Sequence, residues 1–379
     1  MPNINPNNIA LYERALVLRD RGYTFQRIAE DCGWTNSATA RHGWLQGLRL
    51  AGRANEIPTR AVRIQHNNRT TTVTAPVLVG FTTCNSMTFG IELEVVELTE
   101  RGAAVAMRDG GYQCNEAGYD HSVMPTWKVV RDSSVQGYAG SCEVVSPVLT
   151  GNDGLTEIRT VAGILRTAGA KVNKTCGMHI HIGVDNALTV EQQARVIVMH
   201  QMWQPAFDAL LTEQRIYDRD PDYPTRHHYA KKRTRTEAFA LADDWRNAGD
   251  RHSRRSVASH NDRYHACNVN AFYKYGTFEI RSHQGSTNGK NASAWIALNT
   301  GFMQWAASIS EGFFITPVEV CEYTHYQREM NDNAMKVVKA ARIQVLKELT
   351  AHLLAGDFIT QEVHDYLCSR AGRAGQGTN

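Results

Sequence analysis

In the stretch Cys176 to Asp185, CGMHIHIGVD, His179 and His181 stand two apart, with Ile180 between them and Ile182 beyond. Side chains alternate between the faces of a strand, so both imidazoles project from one face while the isoleucines enter a core behind it. Three further stretches repeat the pattern. In FGIELEVV, Glu92 and Glu94 share the face opposite Ile91, Leu93 and Val95. In HACNVNAF, Asn268 and Asn270 flank Val269; in YGTFEIRSHQGS, Glu279 and Arg281 share the face opposite Phe278 and Ile280. These strands predict a sheet with one apolar face and one face of carboxylates, imidazoles, amides and guanidinium. Such a face suits a metal and phosphate site. A single alternating strand more often turns its polar side to water. Here, however, lysine is absent from the polar positions, and acidic or imidazole pairs side by side are costly without a cation or partner.

The elements that must position these residues follow a mixed order. Residues 1–53 read as a small all-α domain. Ile9, Tyr12, Leu16 and Arg19 lie at helical spacing, with Gly22 as a stop. Thr24 can cap a second helix carrying Phe25, Ile28 and Ala29. Cys32 and Gly33 make a turn, and Asn36 or Ser37 can cap a third helix carrying Ala40, Trp44, Leu45 and Leu48. This segment resembles a helix-turn-helix whose third helix would offer Asn36, Thr39, Arg41, His42 and Gln46 to DNA. A helical docking module is the plainer alternative. Residues 54–86 read as a linker or strand-rich lead-in.

From Met87 the chain alternates strands and helices. Phe89–Val96 is a strand, and Arg101–Tyr119 reads as a long loop or irregular hairpin. Trp127–Val135 is a strand entering a turn at Asp132 and Ser133. Ser141–Leu149 is a strand ended by Pro147, with Glu143 on its polar side. Gly154–Gly169 is an amphipathic helix, and Thr189 caps another that runs to about Thr212. Residues 213–265 form a charged insertion. It is either a solvated face or a cover supplying cations to a charged substrate, with Arg263 the best placed of them before the Asn268 strand. Trp295, Leu298, Phe302 and Trp305 mark a buried helix, Asn333–Leu354 a second helix, and the final nine residues a disordered tail. Strands and helices interleaved around one alternating sheet indicate α+β.

Composition narrows the class. The 379 residues allow two or three domains, and 42% hydrophobic content is ordinary for a globular protein. A formal charge of +3 is too small to require nucleic acid. Eight cysteines without a CxxC pair argue for reduced thiols in a cytoplasmic protein rather than a zinc ribbon. No apolar run spans a bilayer, and the N-terminus lacks the basic and apolar regions of a signal peptide, so no membrane partner is expected.

The motifs FG-x-E-x-E, W-x-V-x-x-D-x-S, E-x-x-SP, CG-x-H-x-H, R-Y-x-x-x-N and E-x-R-x-x-x-GS occur in that order. As an ordered set they resemble the amidoligases of the carboxylate–amine ligase group, similar to glutamine synthetase and glutamate–cysteine ligase. The resemblance covers about Met87 to Phe313, within a catalytic domain of residues 87–313 followed by a helical extension over 314–379. It implies a curved antiparallel sheet of glutamine synthetase-like type with flanking helices, ATP and Mg²⁺ or Mn²⁺ on its polar face, and ATP-dependent amide or isopeptide formation. By the resemblance, Glu92, Glu94, Glu143, His179 and Glu279 hold metal. His181 lies near substrate or phosphate, and Arg263 and Arg281 hold the transferring phosphate. Asp132 and Asn268 are looser matches, Asn268 toward the nucleotide.

That chemistry fits the residue types: carboxylates bind hard cations and guanidinium groups absorb charge developing on phosphoryl oxygens. A histidine ligand leans toward Mn²⁺ or a mixed site. Two other readings compete. A metal-dependent hydrolase could use Glu92, His179, His181 and Glu279 around an activated water. Alternatively, a DNA-binding regulator could use the large domain to sense a ligand. Under the ligase reading, the substrates are a small-molecule, peptide or protein carboxylate and an amine, with DNA contact open through residues 1–53. The sequence also leaves room for an oligomer.

Overall fold

The computed structural model describes residues 8–20, 25–34, 37–51, 59–66, 69–76, 87–216, 228–309 and 332–371. Three helices come first: α1 (Ile9–Asp20), α2 (Phe25–Cys32) and α3 (Ser37–Leu50). Ala15, Ile28, Ala29, Cys32 and Ala40 pack together between them, beside a second contact of Leu16 with Leu48. Gly33 turns the chain after α2 at φ +69°, a left-handed conformation that favours glycine. Gln46, expected on the exposed face of α3, is 9% exposed. Gly22, Thr24 and Asn36 fall outside the described residues. A hairpin follows, with β1 (Thr59–His66) antiparallel to β2 (Arg69–Pro76).

The main body is one open, mostly antiparallel sheet with flanking helices. Its strands are β3 (Thr88–Val96), β4 (Cys114–Gly118), β5 (Trp127–Val130), β6 (Ser141–Val145), β7 (Leu149–Thr150), β8 (Gly177–Gly183), β9 (Cys267–Asn268) and β10 (Thr277–Gln284). They lie in the order β4-β5-β6-β3-β8-β10-β9, with β7 on β3 and only the β4–β5 pair parallel. Alternation decides which face is buried. Phe89, Ile91, Leu93, Val129, Val144, Met178, Ile180, Ile182, Phe278 and Ile280 point into one core. Each contributes roughly 1.5–3 kcal/mol by burial.

Helices flank the sheet. They include α4 (Glu100–Asp109), α5 (Gly151–Thr167) and α6 (Val190–Met202), then the short α7 (Gln204–Asp208) and α8 (Glu213–Ile216). Further along come α9 (Arg235–Asn247), α10 (Arg251–Ser259), α11 (Ala271–Tyr275) and α12 (Gly289–Ser308), and finally α13 (Asp332–Ala355) and α14 (Gln361–Ala371). α12 is the central one: Trp295, Ile296, Leu298, Phe302 and Met303 are fully buried, and it packs on α5, α6, α13 and α14. No helix of the described residues is long and apolar enough to cross a membrane.

Four expectations are corrected. The loop expected over Arg101–Tyr119 is helix α4 followed by β4. Thr99 caps the helix by accepting from Gly102 N, and Ala103, Ala104 and Met107 form its buried stripe. The single helix expected from Thr189 to about Thr212 breaks at Trp203, where Pro205 starts α7. Asn270 does not share a strand face with Asn268; it has helical dihedrals and begins α11. The charged segment is not all solvated, since it folds into α8, α9 and α10 and buries Arg215, Arg233 and Arg254. The expected disordered tail lies outside the described residues.

Candidate active site

Strand register assembles the polar face. Glu92 stands opposite His179, and Glu94 opposite Glu143. Glu279 stands opposite both His181 and Asn268. Five strands therefore bring Glu92, Glu94, Glu143, His179, His181, Asn268 and Glu279 together, although up to 187 positions separate them along the chain. Opposite the helical core, the same strands supply all of these groups from alternate positions.

The contacts are close. His179 Nδ1 lies 3.2 Å from Glu92 Oε2 and 3.8 Å from Glu279 Oε1, and its Nε2 lies 3.8 Å from Glu94 Oε1. His181 Nε2 lies 3.3 Å from Glu92 Oε1, while its Nδ1 is 2.9 Å from Thr277 Oγ1. Asn268 Nδ2 donates to Glu279 Oε2 at 2.6 Å, and Arg281 pairs with Glu279 through a short contact to Oε1. Gly177 N donates to the Glu94 carboxylate. A Cβ on Gly177 would meet His179 Nε2 at 2.8 Å, Arg215 Nη2 at 3.2 Å and Glu94 Oε2 at 3.4 Å, so three polar side chains converge over bare backbone.

Two sets of ligand atoms could each hold a cation. Glu92, His179 and Glu279 offer donors within 4.8 Å of one another, and so do Glu94, Asp132 and Glu143. The first set mixes imidazole with carboxylate and suits Mn²⁺ or a similar borderline ion; the second is all oxygen and suits Mg²⁺ or Mn²⁺. The donor chemistry thus fits the divalent ions that the sequence led us to expect.

The electrostatics show the strain of gathering these groups. Burial pushes the Glu143 carboxyl well above the usual carboxylate range, and the charges of Glu92, Glu94, Asp132 and Glu279 push it the same way. Burial opposes ionisation of Glu92, yet its bonds to His179 and His181 hold it well below that range. Glu279 is likewise held low against burial, chiefly by Arg281. Burial pulls His181 down, but Glu92 and Glu279 outweigh it and raise the imidazole. Strong opposed shifts among neighbouring buried groups mark functional sites more often than structural ones.

Cations border the cluster. Arg281 has its charge held by Glu279 and Glu92, and its Nε donates to Tyr229 O at 3.4 Å. Arg215, from α8 in the charged segment, is buried beside Glu94 and donates to Cys176 O. Arg263 stands apart: its guanidinium is exposed and lies 5.2 Å from the Tyr264 ring centroid. Among the described residues of this segment, Arg215 is the arginine beside Glu94, and its local sequence distinguishes it from none of its charged neighbours.

The face also opens into a cavity of about 330 Å³. Glu92, Glu143 and His181 form its inner wall, Val145 to Val148 and Thr88 to Ile91 its sides, and the loop Asp120–Met124 its rim. Lys128 also lines it and was missed in the sequence. All four residues of β5 are buried, so that strand shows no alternation to read.

The fold and site define an α+β sheet protein whose polar face gathers acids, imidazoles and guanidinium groups around a cavity. Residues 85–303 match a family model described as "putative amidoligase enzyme", over more than half of the chain, and the protein belongs to that amidoligase family. The family is one of enzymes, and it carries a ligase-type function. No curated protein matches the chain.

Proposed function

We propose that this protein is an ATP-dependent carboxylate–amine ligase of the glutamine synthetase-like group. The observation that carries this reading is one sheet face holding two adjacent ligand triads, with Arg281 and Arg215 beside them and a cavity that Glu92, Glu143 and His181 also line. In such a reaction the substrate carboxylate attacks the γ-phosphorus of ATP, and ADP leaves with the electrons of the broken P–O bond. The amine nitrogen then attacks the acyl carbon. Phosphate leaves with the C–O pair, and the amine gives up a proton. Bound divalent ions would neutralise phosphate charge.

The chain's own groups divide that work. Glu92, His179 and Glu279 would hold one ion, and Glu94, Asp132 and Glu143 a second. Arg281 and Arg215 would meet the charge on the transferring group, and His181, held by Thr277 and Glu92 through its two ring nitrogens, would stand beside the phosphate. Asn268 fixes Glu279 from behind. The exposed Arg263 has no part in this scheme.

The test is incubation with ATP, Mg²⁺ or Mn²⁺ and a panel of carboxylates and amines, following ADP and phosphate by mass spectrometry. ADP formation that needs metal, Glu92, Glu279 and one carboxylate–amine pair is the expected result. Metal-dependent cleavage of an amide without nucleotide would instead establish the hydrolase. A second proposal concerns residues 1–53, whose helices would place the ligase on DNA or on a DNA-bound protein. Pull-down on duplex DNA with and without those residues tests it, and equal recovery would sink it.

A further inference from the structure

Lys128 is a charged side chain in an unusual position. It is 3% exposed, on the inner strand β5, opposite Val145, which is itself opposite Glu92. An ammonium group has three donors. Two are used: Nζ donates to Asp120 O at 2.5 Å and to Ser122 O at 2.7 Å. Both acceptors are neutral carbonyls on the cavity rim. The carboxylates of Asp120, then Glu143 and Glu92, are near enough to act on its charge, yet none of them forms an ion pair with it among the described residues. A buried charge without a paired counter-ion is costly. The remaining donor belongs to a side chain that lines the cavity.

Holding the rim does not by itself account for a lysine here. The carbonyl between the two that it binds, His121 O, is already taken by Lys274 Nζ at 3.0 Å and Tyr275 Oη at 2.7 Å. The loop is therefore fastened independently of Lys128, by two residues of α11. Arg251 also lines the cavity but is paired with Asp185; Lys128 adds a positive charge beside Glu92, Glu143 and His181 that has no ion pair among the described residues.

We infer that Lys128 is the anion-binding residue of this cavity, giving its free N–H to a carboxylate or phosphate oxygen of the ligand held there. The inference deepens the ligase reading and rests on it only for the kind of anion supplied. A charge-assisted hydrogen bond of this sort is strong because its donor is already desolvated and fixed by two carbonyls. The two sources of the anion are separable: ADP carries phosphate, L-glutamate carries carboxylate, and adenosine carries neither.

The experiment measures binding of ADP, L-glutamate and adenosine to the full chain by calorimetry with Mn²⁺ present, in wild type, Lys128→Met and Lys274→Met. Lys128→Met is expected to weaken ADP or L-glutamate by about 10–100-fold. Adenosine should bind all three proteins alike or not at all. Lys274→Met, which removes a loop fastening without removing the cavity's charge, should leave the anionic ligand within about twofold of wild type. Loss confined to ADP assigns the phosphate, and loss confined to L-glutamate the carboxylate. Equal losses in both variants would show that Lys128 acts only through the loop and overturn the inference. So would unchanged affinity in Lys128→Met, or failure of the wild type to bind either anion. Metal-dependent ATP turnover in the wild type, measured alongside, reports separately on the ligase reading.

Discussion

Single residues here carry opposing burdens of burial and charge. Glu92 is the clearest case, since one carboxylate contacts both His179 and His181. Glu92→Gln keeps the shape and removes the charge. We expect Mn²⁺ affinity and ADP formation to fall by about 100-fold or more, read by calorimetry and by product analysis. His283 supplies a test of pH dependence away from the ligand triads. It is fully buried against Trp295, its Nδ1 donating to Gln284 O at 2.6 Å and its Nε2 accepting from Arg370 Nη1 at 3.1 Å. Burial, then the Arg370 charge, hold its pKa well below the ordinary value. The unfolded chain binds that proton near pH 6.5 and the folded chain does not. Its contribution to stability is therefore complete above about pH 6.5 and is lost as pH falls below that value. Urea denaturation between about pH 5 and 7.5 should show His283→Asn with a shallower acid slope than wild type, by up to about 1.4 kcal/mol per pH unit.

At the scale of elements, the strands β3, β8 and β10 are the site. Gly177 opens β8 and lets Glu94, His179 and Arg215 converge above it. Gly177→Ala should displace those side chains by a few tenths of an ångström or more while β8 keeps its core residues Met178, Ile180 and Ile182. The expected outcome is a loss of metal affinity and turnover of at least about tenfold, with the thermal midpoint lowered by only a few degrees. An unchanged Mn²⁺ titration would show that the convergence is not needed. The strands were legible from the sequence because alternation is a local property, and β3, β8 and β10 each put apolar residues on one side and polar ones on the other. β5 was read as a strand, but Lys128 was not recognised on it because both of its sides are covered. Helix α4 was read as a loop because Gly102 and its charges hide a short stripe of Ala103, Ala104 and Met107. Asn270 was placed on a strand because nothing in NVN marks where β9 gives way to α11.

The whole molecule explains why the matched region ends before the fold does. The family match stops at residue 303, yet α12 continues to Ser308 and is covered by α13 and α14. Leu346, Leu349, Leu353, Val363 and Leu367 are each 1% exposed or less. Burial of this set is worth roughly 1.5–3 kcal/mol per side chain, which together rivals the whole stability of an ordinary domain. A chain ending at Ile309 should therefore lack a cooperative thermal transition and elute as aggregate. A sharp transition with retained ATP turnover would show that the sheet and α12 suffice. Arg370 on α14 also reaches β10 through His283, so the last described helix is tied to the strand that carries Glu279 and Arg281.

The sequence by itself determined the sheet, its two faces and the acids, imidazoles and arginine that line the polar one. Side-chain alternation depends only on backbone geometry and needs no knowledge of neighbours. Tertiary structure decided what distance along the chain conceals. Strand order set which carboxylates meet which histidines, and packing of α8 brought Arg215 to the cluster while leaving Arg263 exposed beside Tyr264. A one-residue bulge between Ile280 and His283 did the same on β10. It turns His283, which alternation alone would place beside Glu279 and Arg281, into the apolar core opposite Met178. Pairing register and long-range packing are cooperative properties of the assembled chain, and no single segment contains them.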